Sequence, residues 1–233
     1  MRTALAALLL GSLVVLPAFA ADVTACRALA ARELPGDDLP LEDTQSFFDE
    51  AEQAYRDCRS PELPVGVRVQ ALLKYSLARG VRGHQQSAVA GAREALQIVD
   101  RSQSVDPTLL LSVLDRLIAA ETTARLRSDA VAHAKRALEL QRATFGADSD
   151  EALAGQIRVG IVHIEFGELD QAESILTNAV RLAERKCGPQ CQARSEAYTG
   201  MFVLRSAEGN EAEAKRFEEL SFDAIPVTPR RKP

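Results

Sequence analysis

The stretch "FGELDQAE", residues 166–173, follows the apolar run "IRVGIVHI" of residues 157–164 and interrupts it with a glycine, an acidic turn and an alanine. Locally this reads as a helix stop followed at once by a helix start, with Gly167 in the left-handed conformation that ends a helix and Ala172 one turn into the next. The stretch decides the fold because it recurs. Displacing the sequence by 42 residues aligns Ala88, Ala130, Ala172 and Ala214, and seven residues after the first three come Ala95, Ala137 and Ala179. Gly83, Gly167 and Gly209 share another column, in which Arg125 fills the gap. A fixed period of this length is the signature of a repeat architecture.

Each unit reads as two helices. Leu110, Leu111, Leu114, Leu117 and Ile118 recur at helical spacing, and no segment alternates as a strand would. Asp106-Pro107 supplies an N-cap and a proline at the first helical position, where its missing N–H costs nothing. Ser128-Asp129 and Asp148-Ser149 are further candidate caps. The alanine columns mark where two helices approach closely, since close approach needs a small side chain. The expected architecture is all-α, a solenoid of antiparallel helix pairs.

The pattern resembles the tetratricopeptide repeat (TPR) family in its 42-residue, kinesin-light-chain-like form. That family places a small residue in the first helix, a glycine at the turn and two alanines seven apart in the second helix. Gly160, Gly167, Ala172 and Ala179 match all of these, and Ala88, Ala130 and Ala214 fill the repeat-packing position of the other units. The family's tyrosine near the end of the first helix is replaced by Arg79, Glu121, His163 and Arg205, and Glu218 stands where an apolar residue is expected. HEAT-like helical pairs have a similar period and are the structural runner-up, but they explain the paired alanine columns less well. The resemblance implies a TPR-like superhelix with four repeats over residues 61–222.

Residues 1–20, "MRTALAALLLGSLVVLPAFA", combine Arg2, an apolar core from Ala4 to Leu16 and small residues at Ala18 and Ala20. This is the pattern of a signal peptide cut near Ala20, which points to a periplasmic or secreted protein. Residues 21–60 form an expected N-terminal capping hairpin, with Phe47, Phe48, Ala51 and Tyr55 on one stripe. Residues 223–233 form an expected flexible tail, rich in proline and basic residues. Four cysteines in an oxidising compartment suggest two disulfides. Of the three pairings, Cys26–Cys58 across the hairpin and Cys187–Cys191 across a short loop are favoured. "KCGPQC" has one residue too many for a redox-active C-x-x-C, so a structural staple is the better reading.

The chain carries 28 Lys and Arg against 33 Asp and Glu, a net charge of −5, with no basic excess to suggest nucleic acid. The most apolar segment after the leader, "LLLSVLDRLIAA", holds Asp115 and Arg116 in its middle, so no membrane insertion is expected after cleavage. Catalytic patterns are scarce. His84, His133 and His163 form no metal-spacing motif, and His84 and His133 read as solvated. Glu165, Glu168 and Asp170 lie at a helix end and start, where acids meet the next helix dipole. No phosphate loop or nucleophile elbow occurs. Neither an enzyme, a cofactor nor a metal is expected.

One further column carries the functional expectation. Lys74, Arg116 and Arg158 recur at 42 residues, closed by Gly200, and Leu77, Ala119 and Ile161 run beside them, with Ile157 adjacent. By analogy with the family this column faces the concave groove. A basic stripe over an apolar floor suits a protein or peptide with exposed carboxylates, which arginine grips in bidentate fashion. The expected function is an exported adaptor or scaffold that holds such a partner. The alternatives are a self-associating envelope subunit, motivated by Phe217 and Leu220 in the last unit, and an inhibitor or immunity-type binder of an exported enzyme.

Overall fold

The computed structural model describes residues 24–32, 41–58 and 60–226. The expected leader, and residues 227–233 of the expected tail, lie outside the described residues. Ten helices follow in order: α1 (Thr24–Ala31), α2 (Leu41–Asp57), α3 (Val65–Val81), α4 (Gln85–Asp100), α5 (Pro107–Thr123), α6 (Arg127–Phe145), α7 (Asp150–Glu165), α8 (Leu169–Lys186), α9 (Gln192–Ala207) and α10 (Glu211–Asp223). No strand occurs among the described residues. Successive helices pack as antiparallel pairs, and each first helix also touches the next first helix, from α1 to α3, α5, α7 and α9. The backbones of the second helices stay apart and are bridged by long polar side chains, as where Arg136 of α6 reaches Asp100 of α4. The first helices therefore line the inner face of a curved array and the second helices its outer face.

The corner at residues 166–173 is built four times in the same way. Gly83, Arg125, Gly167 and Gly209 have φ of 78°, 60°, 75° and 74°. The next residue in each case donates its N–H back five positions, to the carbonyls of Arg79, Glu121, His163 and Arg205 at 2.8–2.9 Å. That same residue then accepts from the N–H of Ala88, Ala130, Ala172 or Ala214, opening the second helix. These are the paired bonds of a Schellman-type stop fused to a helix start. Ala88, Ala130 and Ala172 are at most 1% exposed and Ala214 6%, as small residues at helix contacts must be. Asp106 and Ser149 cap α5 and α7 through their side chains. Ser128-Asp129 does not cap α6: the left-handed turn at Arg125 lets the helix begin at Arg127, leaving both inside its first turn.

Glycines permit the tightest packing in the C-terminal half. A Cβ on Gly160 would stand 2.7 Å from Cγ and Cδ2 of the fully buried Leu176, and one on Gly200 2.9 Å from the same Cδ2. Leu176 of α8 thus fills a hole whose walls are the bare backbones of α7 and α9.

The substitutions in the family's tyrosine column are also explained. Each polar side chain there lies beside the corner, within reach of partners on neighbouring helices. Arg79 meets Glu52 of α2, and the fully buried Glu121 takes Arg93 Nη2 at 3.0 Å and His133 Nδ1 at 2.7 Å. His163 Nδ1 lies 2.6 Å from Glu168, which also meets Arg127. Arg205 meets Glu173, Glu208 and Glu213 at 2.6–2.9 Å. His133 is therefore not a solvated side chain: it helps to satisfy a buried carboxylate that would otherwise be costly. Glu168, similarly, holds His163 and Arg127 rather than serving only a helix dipole.

The two ends are finished differently. Cys26–Cys58 joins α1 to α2, with Cα atoms 5.2 Å apart, over a core containing Phe47, Phe48 and Ala51. Tyr55 of α2 stacks on Tyr75 of α3 at 3.9 Å, tying the hairpin to the array. Cys187–Cys191 spans the α8–α9 loop, and Cys191 N–H donates to Ala224 O, 2.7 Å away, drawing the end of α10 to the start of α9. Both favoured pairings are thus present. In α10 the exposed Glu218 occupies the position of buried Leu176 one repeat earlier. The array ends where a charge replaces the residue that would seat another repeat.

Candidate functional site: the concave groove

Three adjoining cavities run along the inner face. The largest, about 760 Å³, opens between α5, α7 and α9; its floor includes Ala119, Ile157, Ile161 and Gly200, and its rim carries Arg125, Arg158, Glu165 and Glu196. A second, about 300 Å³, lies between α3 and α5 and is lined by Leu73, Lys74, Leu77, Asp115 and Arg116. A third, about 200 Å³, shares Leu77 and Arg116 with the second and Ala119 with the first. All seven residues of the expected groove, Lys74, Leu77, Arg116, Ala119, Ile157, Arg158 and Ile161, line these cavities. The reason is geometric: residues 42 apart fall on equivalent faces of successive first helices.

The three cations nevertheless differ. Lys74 Nζ donates to Leu29 O at 2.9 Å, to Ala30 O at 2.7 Å and to Arg32 O. These are carbonyls at the C-terminal end of α1 and of the residue after it, where the helix runs out of its own donors. Lys74 is therefore committed to holding α1, and burial lowers its ammonium from the ordinary lysine range. Arg158 Nε lies 3.4 Å from Asp115 Oδ1, both side chains being nearly half exposed. An exposed pair of this kind contributes ~0–1 kcal/mol and exchanges readily for another partner. Asp115 thus pairs across to α7 rather than with its neighbour Arg116, and burial raises its carboxyl above the ordinary range, against the opposing pull of Arg158.

Arg116 stands alone. It is partly buried between the second and third cavities, and it makes no hydrogen bond or ion pair among the described residues; its Nε is fully buried. Burial lowers its basicity, yet a guanidinium stays charged at any physiological pH. Two more buried polar atoms lack a partner along the same face, Thr122 Oγ1 beside the largest cavity and Gln85 Oε1 beside the third.

Several rim residues escape the sequence reading. Glu165 and Glu196 make the groove mixed in charge rather than purely basic, and Thr122, Thr123 and Arg125 edge its largest cavity. Their columns vary in chemistry from repeat to repeat, so periodicity alone does not single them out. Among the described residues no group of His, Cys, Asp and Glu is arranged to hold a metal ion. No helix there is long and apolar enough to cross a membrane.

The sequence matches no protein-family model, and no curated protein is similar to it. Solved structures do resemble the fold. A putative kinesin light chain from Podosopora anserina with nearly identical TPR-like repeats superposes with a TM-score of 0.66 at 17% identity, over 88% of this chain and 95% of that one. A second structure under the same description gives 0.60 at 17% identity, over 78% and 92%. BtubC (BKLC) from P. vanneervenii gives 0.59 at 18% identity, over 78% and 73%. At these identities the likeness is one of architecture: the chain has the fold of a kinesin-light-chain-like array of tetratricopeptide repeats.

Proposed function

We propose that this chain is a binding module that holds a protein or peptide partner in its concave groove and acts without catalysis. The observation that carries the reading is Arg116, a partly buried guanidinium with no partner among the described residues, between two apolar-walled cavities. Leaving a cation so placed is unfavourable in the free protein, and a carboxylate of the partner relieves it with charge-assisted hydrogen bonds. Leu77, Ala119, Ile157 and Ile161 supply apolar surface on either side, and Arg158 can leave Asp115 for a second acid. The two disulfides and the leader-like residues 1–20 support action outside the reducing cytosol, in the periplasm or beyond. The module then serves as an adaptor for that partner.

The test is capture from envelope extract with the oxidised protein, comparing wild type with Arg116→Glu and with Ile161→Asp. Lys74 is left intact, since reversing its charge detaches α1 and reports on folding. A partner held by the wild type and lost from both variants, with helicity unchanged, supports the groove. Equal retention by all three proteins refutes it.

A further inference from the structure

On the side of α7 away from the groove, a separate cavity of about 510 Å³ opens among the end of α6, the α6–α7 loop and the outer face of α8. Three arginines converge on it: Arg142 from α6, and Arg181 and Arg185 from α8. All three are exposed, and none has a hydrogen-bond or ion-pair partner among the described residues, whereas Arg136 pairs with Asp100 and Lys186 with Asp150. Arg181 and Arg185 are four residues apart on one helix, where like charges repel. The favourable dipole at a helix end accounts for Arg142 and Arg185, each in a last turn. It does not account for Arg181, nor for the convergence of two helices on one cavity.

The remaining polar wall is of another kind. Asp148 from the loop and Asn178 of α8 are exposed and have no partner among the described residues, and Gln156 spends its Nε2 on Ile175 O, leaving its amide oxygen to accept. A carboxylate and two amides sharing one cavity with three guanidiniums fit a ligand that carries both an anionic group and hydroxyls. The volume lies within the ~300–1,000 Å³ usual for small-ligand sites. We propose that this cavity binds a phosphate ester bearing hydroxyl groups. Arg142, Arg181 and Arg185 grip the phosphate, and Asp148 accepts from a hydroxyl. Guanidinium and phosphate match in geometry as well as charge. The site is independent of the concave groove.

The experiment is calorimetric titration of the oxidised full chain with glucose 6-phosphate, beside inorganic phosphate at matched ionic strength. Saturable binding of the ester is expected, weakened roughly tenfold by each of Arg142→Ala, Arg181→Ala and Arg185→Ala, as loss of one charged hydrogen-bonding group implies. Asp148→Asn should weaken glucose 6-phosphate while strengthening inorganic phosphate, because it replaces a charged hydroxyl acceptor by a weaker amide oxygen and removes a repelling charge together. A parallel arm sediments the protein with phosphatidylcholine vesicles with and without phosphatidylglycerol. Arginine-dependent binding to the anionic vesicles assigns the ester to a lipid headgroup, and binding to the free sugar phosphate assigns a soluble one. Failure to bind either at millimolar concentration, equal binding by the three arginine variants, or equal affinity for inorganic phosphate in wild type and Asp148→Asn overturns the proposal.

Discussion

Replacing Gly160 with alanine tests whether the C-terminal repeats interlock through bare backbone. Alanine is the better helix former by ~1 kcal/mol, so at an open helical position the change would stabilise. Here the added methyl falls 2.7 Å from two carbons of Leu176 and 3.4 Å from a third. Leu176 cannot swing clear, because Gly200 of α9 walls its other side and the residue is fully buried. Overpacking of this kind costs ~1–3 kcal/mol, leaving a net loss of up to about 2 kcal/mol. In a Leu176→Ala background, itself destabilised by ~2–5 kcal/mol, the obstacle is gone and the same Gly160→Ala change should gain about 1 kcal/mol. The sign reversal is the diagnostic, a coupling of ~1–3 kcal/mol in a double-mutant cycle. Urea unfolding followed by circular dichroism, with both disulfides intact, gives the four stabilities. If Gly160→Ala stabilises equally in both backgrounds, α7 and α8 do not meet as described and the glycine is incidental.

Three further outcomes are expected. Arg125→Gly should stabilise by up to about 1 kcal/mol, since a left-handed residue with a Cβ costs ~1–2 kcal/mol, part of which is offset by the Arg125 Nη1 bond to Glu165 O at 2.7 Å. Arg125→Val should destabilise, and equal melting temperatures for the two variants would contradict the conformation. Lys74→Met should uncouple α1 while leaving α3–α10 intact, seen as faster amide exchange confined to residues 24–32; unchanged exchange there would remove the helix-end role. Burial, with Lys135 and Arg127 nearby, holds the His163 imidazole below its ordinary range, so the neutral ring donates from Nδ1 to Glu168. The unfolded chain therefore takes up this proton first, and stability should fall as pH drops below ~6.5. His163→Gln should flatten that part of the melting-temperature profile, and an unchanged profile would exclude His163 as its source.

The 42-residue period reveals the helix pairs, the corners and the inner-face column because all three depend on what repeats. The period even marks Arg125 as a glycine's stand-in, and the shared positive φ shows that the column records a backbone conformation. What the period conceals is whatever each repeat does with its own neighbours. Lys74, Arg116 and Arg158 are equivalent by spacing, yet one caps a helix, one is unpaired and one leans on Asp115. Their differences come from α1 at one end of the array and from side chains contributed by other repeats. His133 and Glu168 are misjudged for the same reason: the partner that gives each its role lies on another helix, and no spacing rule places it there. Glu218 reads as a defect within the period and becomes intelligible as the place where the stacking stops.

A stacked array bends most easily where neighbouring units are joined along one edge only. Between the α5–α6 and α7–α8 pairs the contact runs almost wholly through α6 and α7, while α5 and α7 barely touch; between the α7–α8 and α9–α10 pairs, α9 meets α7 as well as α8. Opening and closing at the inner edge is therefore concentrated at the α5–α7 seam, with α6–α7 as its axis. The largest groove cavity spans that seam, and Arg158 reaches across it to Asp115. A partner that draws Arg158 away, as proposed, would give up only this exposed pair at the seam, worth ~0–1 kcal/mol. If the groove binds as proposed, the α5–α7 seam is the place where its width would adjust to the partner.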